Sequence, residues 1–108
     1  MMNDQPTSEL SREEINQFTG AVMLEFGAGW CGYCKAVQGI IFSELVLYPN
    51  IRHIKIEDGM GRRLGRTFAV KLWPTLIFMK DGIELKRLER QFNSEEISTS
   101  LIIINNNS

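Results

Sequence analysis

Two stretches with strand character, AVMLEFG at 21–27 and IRHIKIE at 51–57, flank a segment whose apolar residues Val37, Ile40, Ile41, Leu45 and Val46 recur at helical spacing. A strand, a helix and a second strand in succession constrain the fold strongly. The strands lie parallel, and the helix crosses between them with a right-handed sense. Within 21–27, Val22, Leu24 and Phe26 fall on one side, and Ala21, Met23 and Glu25 on the other. A strand with apolar residues on both sides belongs inside a sheet covered by helices on both faces.

The remaining elements follow from local signals. Ser11 and Glu14 have the spacing of a capping box, opening a short helix that Gly20 ends. Gly39 should loosen or bend the crossover helix, which runs to about residue 47 before Pro49-Asn50 stops it. A helix over about 60–69 precedes a turn containing Trp73-Pro74. The runs TLIFMK and IELKRLE flank Asp81-Gly82, a hairpin signal. Asn93, with Glu96 three residues on, caps a last helix through about 103. The expected order is α-β-α-β-α-β-β-α in one layered α/β domain over 11–103, with flexible tails at 1–10 and 104–108. The hairpin makes the sheet mixed.

The 108 residues are 44% hydrophobic and 23% charged, which excludes both a disordered and a membrane-embedded chain. A net charge of −1 gives no reason to expect nucleic-acid binding. Charge is uneven, at −4 over residues 1–25 and +5 over 52–90. Arg62, Arg63 and Arg66 read as a solvated helix face rather than a docking site. The opening MMNDQPTSEL lacks a basic-then-apolar leader, and no apolar run nears the ~20 residues needed to span a bilayer. A cytoplasmic location without membrane contact is expected.

The chain has two cysteines, Cys31 and Cys34, placed where the first strand turns into the helix. As a staple, a loop this short would contribute only roughly 2 kcal/mol in the chain-entropy estimate. A structural zinc site needs four ligands, and Cys31, Cys34 and the single His53 fall one short. A zinc ion would have to accept water in the fourth position, and the expectation is no metal. A redox pair fits better. Residues three apart in a first helical turn are neighbours, so their sulfurs can bond without backbone rearrangement. The first sulfur meets the positive end of the helix, which favours its thiolate. Cys34, one turn in, should be more buried and remain a thiol. Cys31 would then attack a substrate disulfide, and Cys34 would resolve the mixed disulfide.

The motif WCGYCK after a strand, with WPT about forty residues later, resembles the thioredoxin superfamily over residues 11–103. The resemblance implies a thioredoxin-like fold, a central mixed four-stranded sheet with helices on both faces. In that fold the strand at 21–27 pairs antiparallel with 75–80, bringing Pro74 to Cys31. The resemblance makes Cys31 the nucleophile, Cys34 the resolving thiol and Pro74 a cis-proline beside them. The backbone of Trp73 would pair with substrate like an added strand. Trp30 would shield the disulfide, and Gly32 and Tyr33 would complete the substrate surface.

Glu25 falls where thioredoxins keep a buried aspartate. An apolar setting would raise its pKa and let it take the Cys34 proton. Lys55 is its expected partner, with His53 in that place if the alignment shifts by two residues; otherwise His53 reads as a surface residue of its strand. The chain departs from the family in Gly32-Tyr33, Gly27, Gly29, Gly39, Trp73 and Arg90. Without proline between the cysteines, the reduction potential should lie between about −270 and −180 mV.

The activity implied is reduction of protein disulfides by a monomer, with no cofactor beyond the cysteine pair and with electrons from a reductase. A disulfide isomerase, suggested by Gly32-Tyr33, and a non-catalytic chaperone or assembly module, suggested by Trp73 and Arg90, are the alternatives.

Overall fold

Five consecutive buried residues, Val22 to Phe26, form the middle of strand β1 (Ala21–Gly27). In the computed structural model, which describes residues 10–105, this strand has a neighbour on each edge. Strand β2 (Arg52–Glu57) pairs with it in parallel, with Glu25 opposite Lys55 and Met23 opposite His53. Strand β3 (Thr75–Lys80) pairs with it antiparallel, and β4 (Ile83–Glu89) completes the order β2-β1-β3-β4. The mixed four-stranded sheet is the one expected.

Alternation along the strands divides the core between two faces. Val22, Leu24 and Phe26 join Ile54, Ile56, Ile77 and Met79 on one face. Helix α1 (Arg12–Asn16) covers it through Ile15, and α4 (Arg63–Thr67) through Leu64. Met23, Leu76 and Phe78 turn to the other face, where Ile41 of α3 (Gln38–Leu45) and Ile97, Leu101 and Ile104 of α5 (Ser94–Asn105) pack. Each buried aliphatic side chain there stabilises the fold by roughly 1.5–3 kcal/mol relative to exposure.

Local signals hold closely. Ser11 and Glu14 make both bonds of the capping box, and Asn93 and Glu96 make the equivalent pair before α5. At the hairpin, Asp81 and Gly82 both have positive φ, 50° and 81°, as a turn matching strand twist requires. A Cβ at Gly82 would overlap the Asn16 carbonyl, so the turn also seats against α1.

The crossover differs from expectation. Helix α2 (Gly32–Ala36) ends at Val37, whose φ of −98° and ψ of 0° separate it from α3. The interruption precedes Gly39. At this break the Gln38 side-chain amide donates to the Cys34 carbonyl at 2.8 Å. Helix α1 ends at Asn16, short of Gly20, and α4 is shorter than the expected 60–69. The last helix continues to Asn105, because Ile104 is fully buried against the sheet. Residues 1–9 and 106–108 of the expected tails lie outside the described residues.

Candidate active site

Cys31 is the N-cap of α2, and its Sγ accepts the Cys34 backbone N–H at 3.1 Å. Cys31 and Cys34 form a disulfide. The sequence reading expected an accessible outer sulfur and a more buried inner one. In the disulfide both residues are buried, Cys31 at 5% exposure and Cys34 at 7%. Ala28 and Trp73 pack against the pair, and closing the bond turns each sulfur toward the other.

The two cysteines differ instead in what they face. Cys31 opens on a cleft of about 500 Å³, lined by Trp30, Gly32, Tyr33, Lys71, Trp73 and Arg90. The Trp30 and Trp73 rings meet edge to face, 5.3 Å between centroids. Trp30 itself is 74% exposed, so it walls the cleft rather than sealing the disulfide. The Trp73–Pro74 peptide is cis, and Pro74 is buried. Trp73 is held by Asp58, whose carboxylate accepts the indole N–H at 3.0 Å. Its carbonyl accepts the Arg90 Nε–H at 2.8 Å.

Cys34 borders a different space, a cavity of about 690 Å³ into which the charged and polar groups of Glu25, Lys35, Gln38, His53 and Lys55 converge. Gly27 is what lets the sulfur sit there, since a Cβ at that residue would lie 2.7 Å from Cys34 Sγ. Glu25 is 4% exposed and fully engaged. Its Oε2 accepts from Gln38 Nε2 and its Oε1 from His53 Nε2, both at 2.7 Å. An ionised carboxylate only accepts, so His53 carries its proton on Nε2. Lys55 donates to Gln38 Oε1 at 3.0 Å rather than to the carboxylate, and acts on Glu25 through its charge.

Two expectations are corrected here. His53, read as a plain surface residue, is the direct partner of Glu25, and Lys55 is one side chain further away. The carboxyl was also expected to have a raised pKa. Burial does push it up. The hydrogen bonds from His53 and Gln38, with the attraction of His53 and Lys55, outweigh that push, so Glu25 titrates below the ordinary carboxylate value. Gln38 and Asp58 were not singled out in the sequence. For Gln38 the usable signal was its place one helical turn beyond Cys34.

The sequence model of the Thioredoxin family matches residues 5–102. The chain belongs to the thioredoxin family. It is 32% identical to the thioredoxin of Chlamydia pneumoniae, over 86% of this chain and 92% of that one. A rice relative, thioredoxin H5, is also 32% identical, over 82% of this chain and 65% of its own length. The structure of reduced thioredoxin 2 from Pseudomonas aeruginosa superposes with a TM-score of 0.82 at 37% identity, covering 97% of each chain. With family membership and the C-x-x-C pair together, the chain is a thiol–disulfide oxidoreductase. Among the described residues, no helix is long and apolar enough to cross a membrane.

Proposed function

We propose that the chain reduces disulfides of other proteins, with Cys31 attacking, Cys34 resolving and Glu25 receiving the Cys34 proton. The observation that carries this reading is the separation of surroundings, a cleft with aromatic walls at Cys31 and a cavity holding the Glu25 carboxylate at Cys34. A substrate chain can reach the cleft between Trp30, Gly32, Tyr33 and Trp73, with Pro74 setting the Trp73 backbone alongside it. The Cys31 thiolate, favoured by the N-cap position and the Cys34 N–H, attacks one substrate sulfur and expels the other as a thiolate. Cys34 then attacks Cys31, releasing the second substrate thiol and closing the intramolecular disulfide.

For that second attack Cys34 must lose its proton. Glu25 is ionised at neutral pH and borders the same cavity, which is roomy enough for water to carry the proton between them. His53 bonds to the carboxylate with a side chain 28% exposed, which fixes the base in place at the edge of the cavity. The cysteine pair stores the two electrons, so no further cofactor enters the cycle. On this reading a reductase supplies the electrons, and the chain works in the cytoplasm as a monomer.

Insulin reduction with dithiothreitol tests the reading. The wild type should accelerate precipitation, and Cys31→Ser should abolish the acceleration. Cys34→Ser should accumulate a mixed disulfide detectable by mass. Equal rates for wild type and Cys31→Ser would favour a non-catalytic module.

A further inference from the structure

Arg90 and Lys71 both line the Cys31 cleft, and no acidic side chain does. Asp58 is the nearest acid to the indole of Trp73, but it lies outside the cleft lining. Among the described residues neither cation forms an ion pair. Arg90 is also fixed in place. Its Nε is bonded to the Trp73 carbonyl, and its guanidinium lies 4.2 Å over the Tyr33 ring. Both contacts order the side chain and leave its terminal nitrogens without a protein acceptor among the described residues. An ordered guanidinium with free donors suits a carboxylate.

We infer that the Cys31 cleft selects disulfides bearing a carboxylate beside the attacked sulfur, an acidic peptide segment held by Arg90 and Lys71. The inference rests on Cys31 being the attacking sulfur. The chemistry stays that of exchange: reduced Cys31 and Cys34 give two electrons and two protons to the substrate disulfide, which becomes two thiols. What the cations add is attraction and register. Because Arg90 occupies the Trp73 carbonyl, an incoming chain meets the guanidinium where it would otherwise find a backbone acceptor. Side-chain charge thus takes over part of the recognition that strand pairing would give.

The test uses three peptides with one internal disulfide, differing only in Glu, Gln or Lys next to one cysteine, each mixed with pre-reduced full-length protein. Reduction should be fastest for Glu and slowest for Lys, by about tenfold at low ionic strength, with the ratio shrinking in high salt. Arg90→Glu should invert the order. Lys71→Glu, at an exposed residue, should lower the Glu-to-Lys ratio and guards against misfolding of the first variant. Equal rates for all three peptides would overturn the proposal while leaving Cys31 as nucleophile. So would a ratio untouched by both variants. Oxidised glutathione, which carries its own carboxylates, separates small-molecule from peptide recognition. If its rate alone responds to Arg90→Glu, the peptide assignment fails. If no peptide is reduced by wild type, the Cys31 reading falls with it.

Discussion

The Glu25 carboxylate and the His53 imidazole meet at 2.7 Å, one side chain buried in the sheet and the other at its surface. Burial is the largest influence on Glu25 and acts upward, and the His53 hydrogen bond is the largest influence opposing it. His53→Leu should therefore raise the Glu25 pKa, since burial would act against fewer counterweights. An NMR titration of the Glu25 carboxyl carbon reads this directly. An unchanged or lower value would show that the imidazole does not hold the carboxylate ionised.

If Glu25 receives the Cys34 proton, removing its charge should affect the second chemical step and spare the first. Glu25→Gln keeps the size and the capacity to hydrogen bond. Release of a preformed mixed disulfide at neutral pH should slow by about 10²-fold, the lower end of what a positioned base contributes. Attack of Cys31 on substrate should change little. Stopped-flow tryptophan fluorescence can resolve the two steps, and equal slowing of both would assign Glu25 a general structural effect instead.

The same carboxyl links stability to pH. A native pKa below the ordinary value of 4.5 means that the unfolded chain binds more protons in that range. Stability then rises with pH through the window. Glu25's contribution is complete above 4.5 and is lost as pH falls through its depressed native value. Glu25→Gln should flatten this acid limb in denaturation curves collected across mildly acidic pH. An acid limb as steep as that of the wild type would remove Glu25 as its source.

Which features were legible in the sequence depends on how far each interaction reaches. The capping pairs Ser11–Glu14 and Asn93–Glu96, and the turn Asp81-Gly82, involve near neighbours and could be read directly. The sheet followed because alternation in 21–27 and 51–57 leaves few topologies. His53 was misread because its partner is set by the β1–β2 register. Lys55 is directly opposite Glu25, yet the shorter imidazole from two residues earlier reaches the carboxylate. The break falls at Val37, two residues before the Gly39 expected to bend the helix, so the sequence signalled an interruption but not its place. Arg90 could be noted as unusual, but its bond to Trp73 joins residues on either side of the β3–β4 hairpin and depends on the folded sheet.

Gly27 offers a test of how closely the site is packed. Its missing side chain admits Cys34 Sγ, and a Cβ there would approach to 2.7 Å. Gly27→Ala should destabilise the protein by about 1–3 kcal/mol, the range for overpacking a filled site. The cost should be larger in the oxidised form, where the sulfur cannot rotate away. Urea denaturation of the oxidised and reduced variant measures both. Equal destabilisation would mean that the backbone of β1, rather than the sulfur, absorbs the strain.

The redox potential tests the departure at Gly32-Tyr33. Both residues are exposed, and Tyr33 lies under the Arg90 guanidinium, whose positive charge lines the same cleft as Cys31. Nearby positive charge stabilises a thiolate, and whatever stabilises the reduced pair makes the disulfide more oxidising. The potential should therefore fall between about −270 mV and about −180 mV, above the value typical of thioredoxin. Arg90→Gln should shift it downward as the thiolate loses its cation. Equilibration with glutathione buffers, read by tryptophan fluorescence, gives both values. An upward shift in the variant would mean that the guanidinium steadies the disulfide rather than the thiolate.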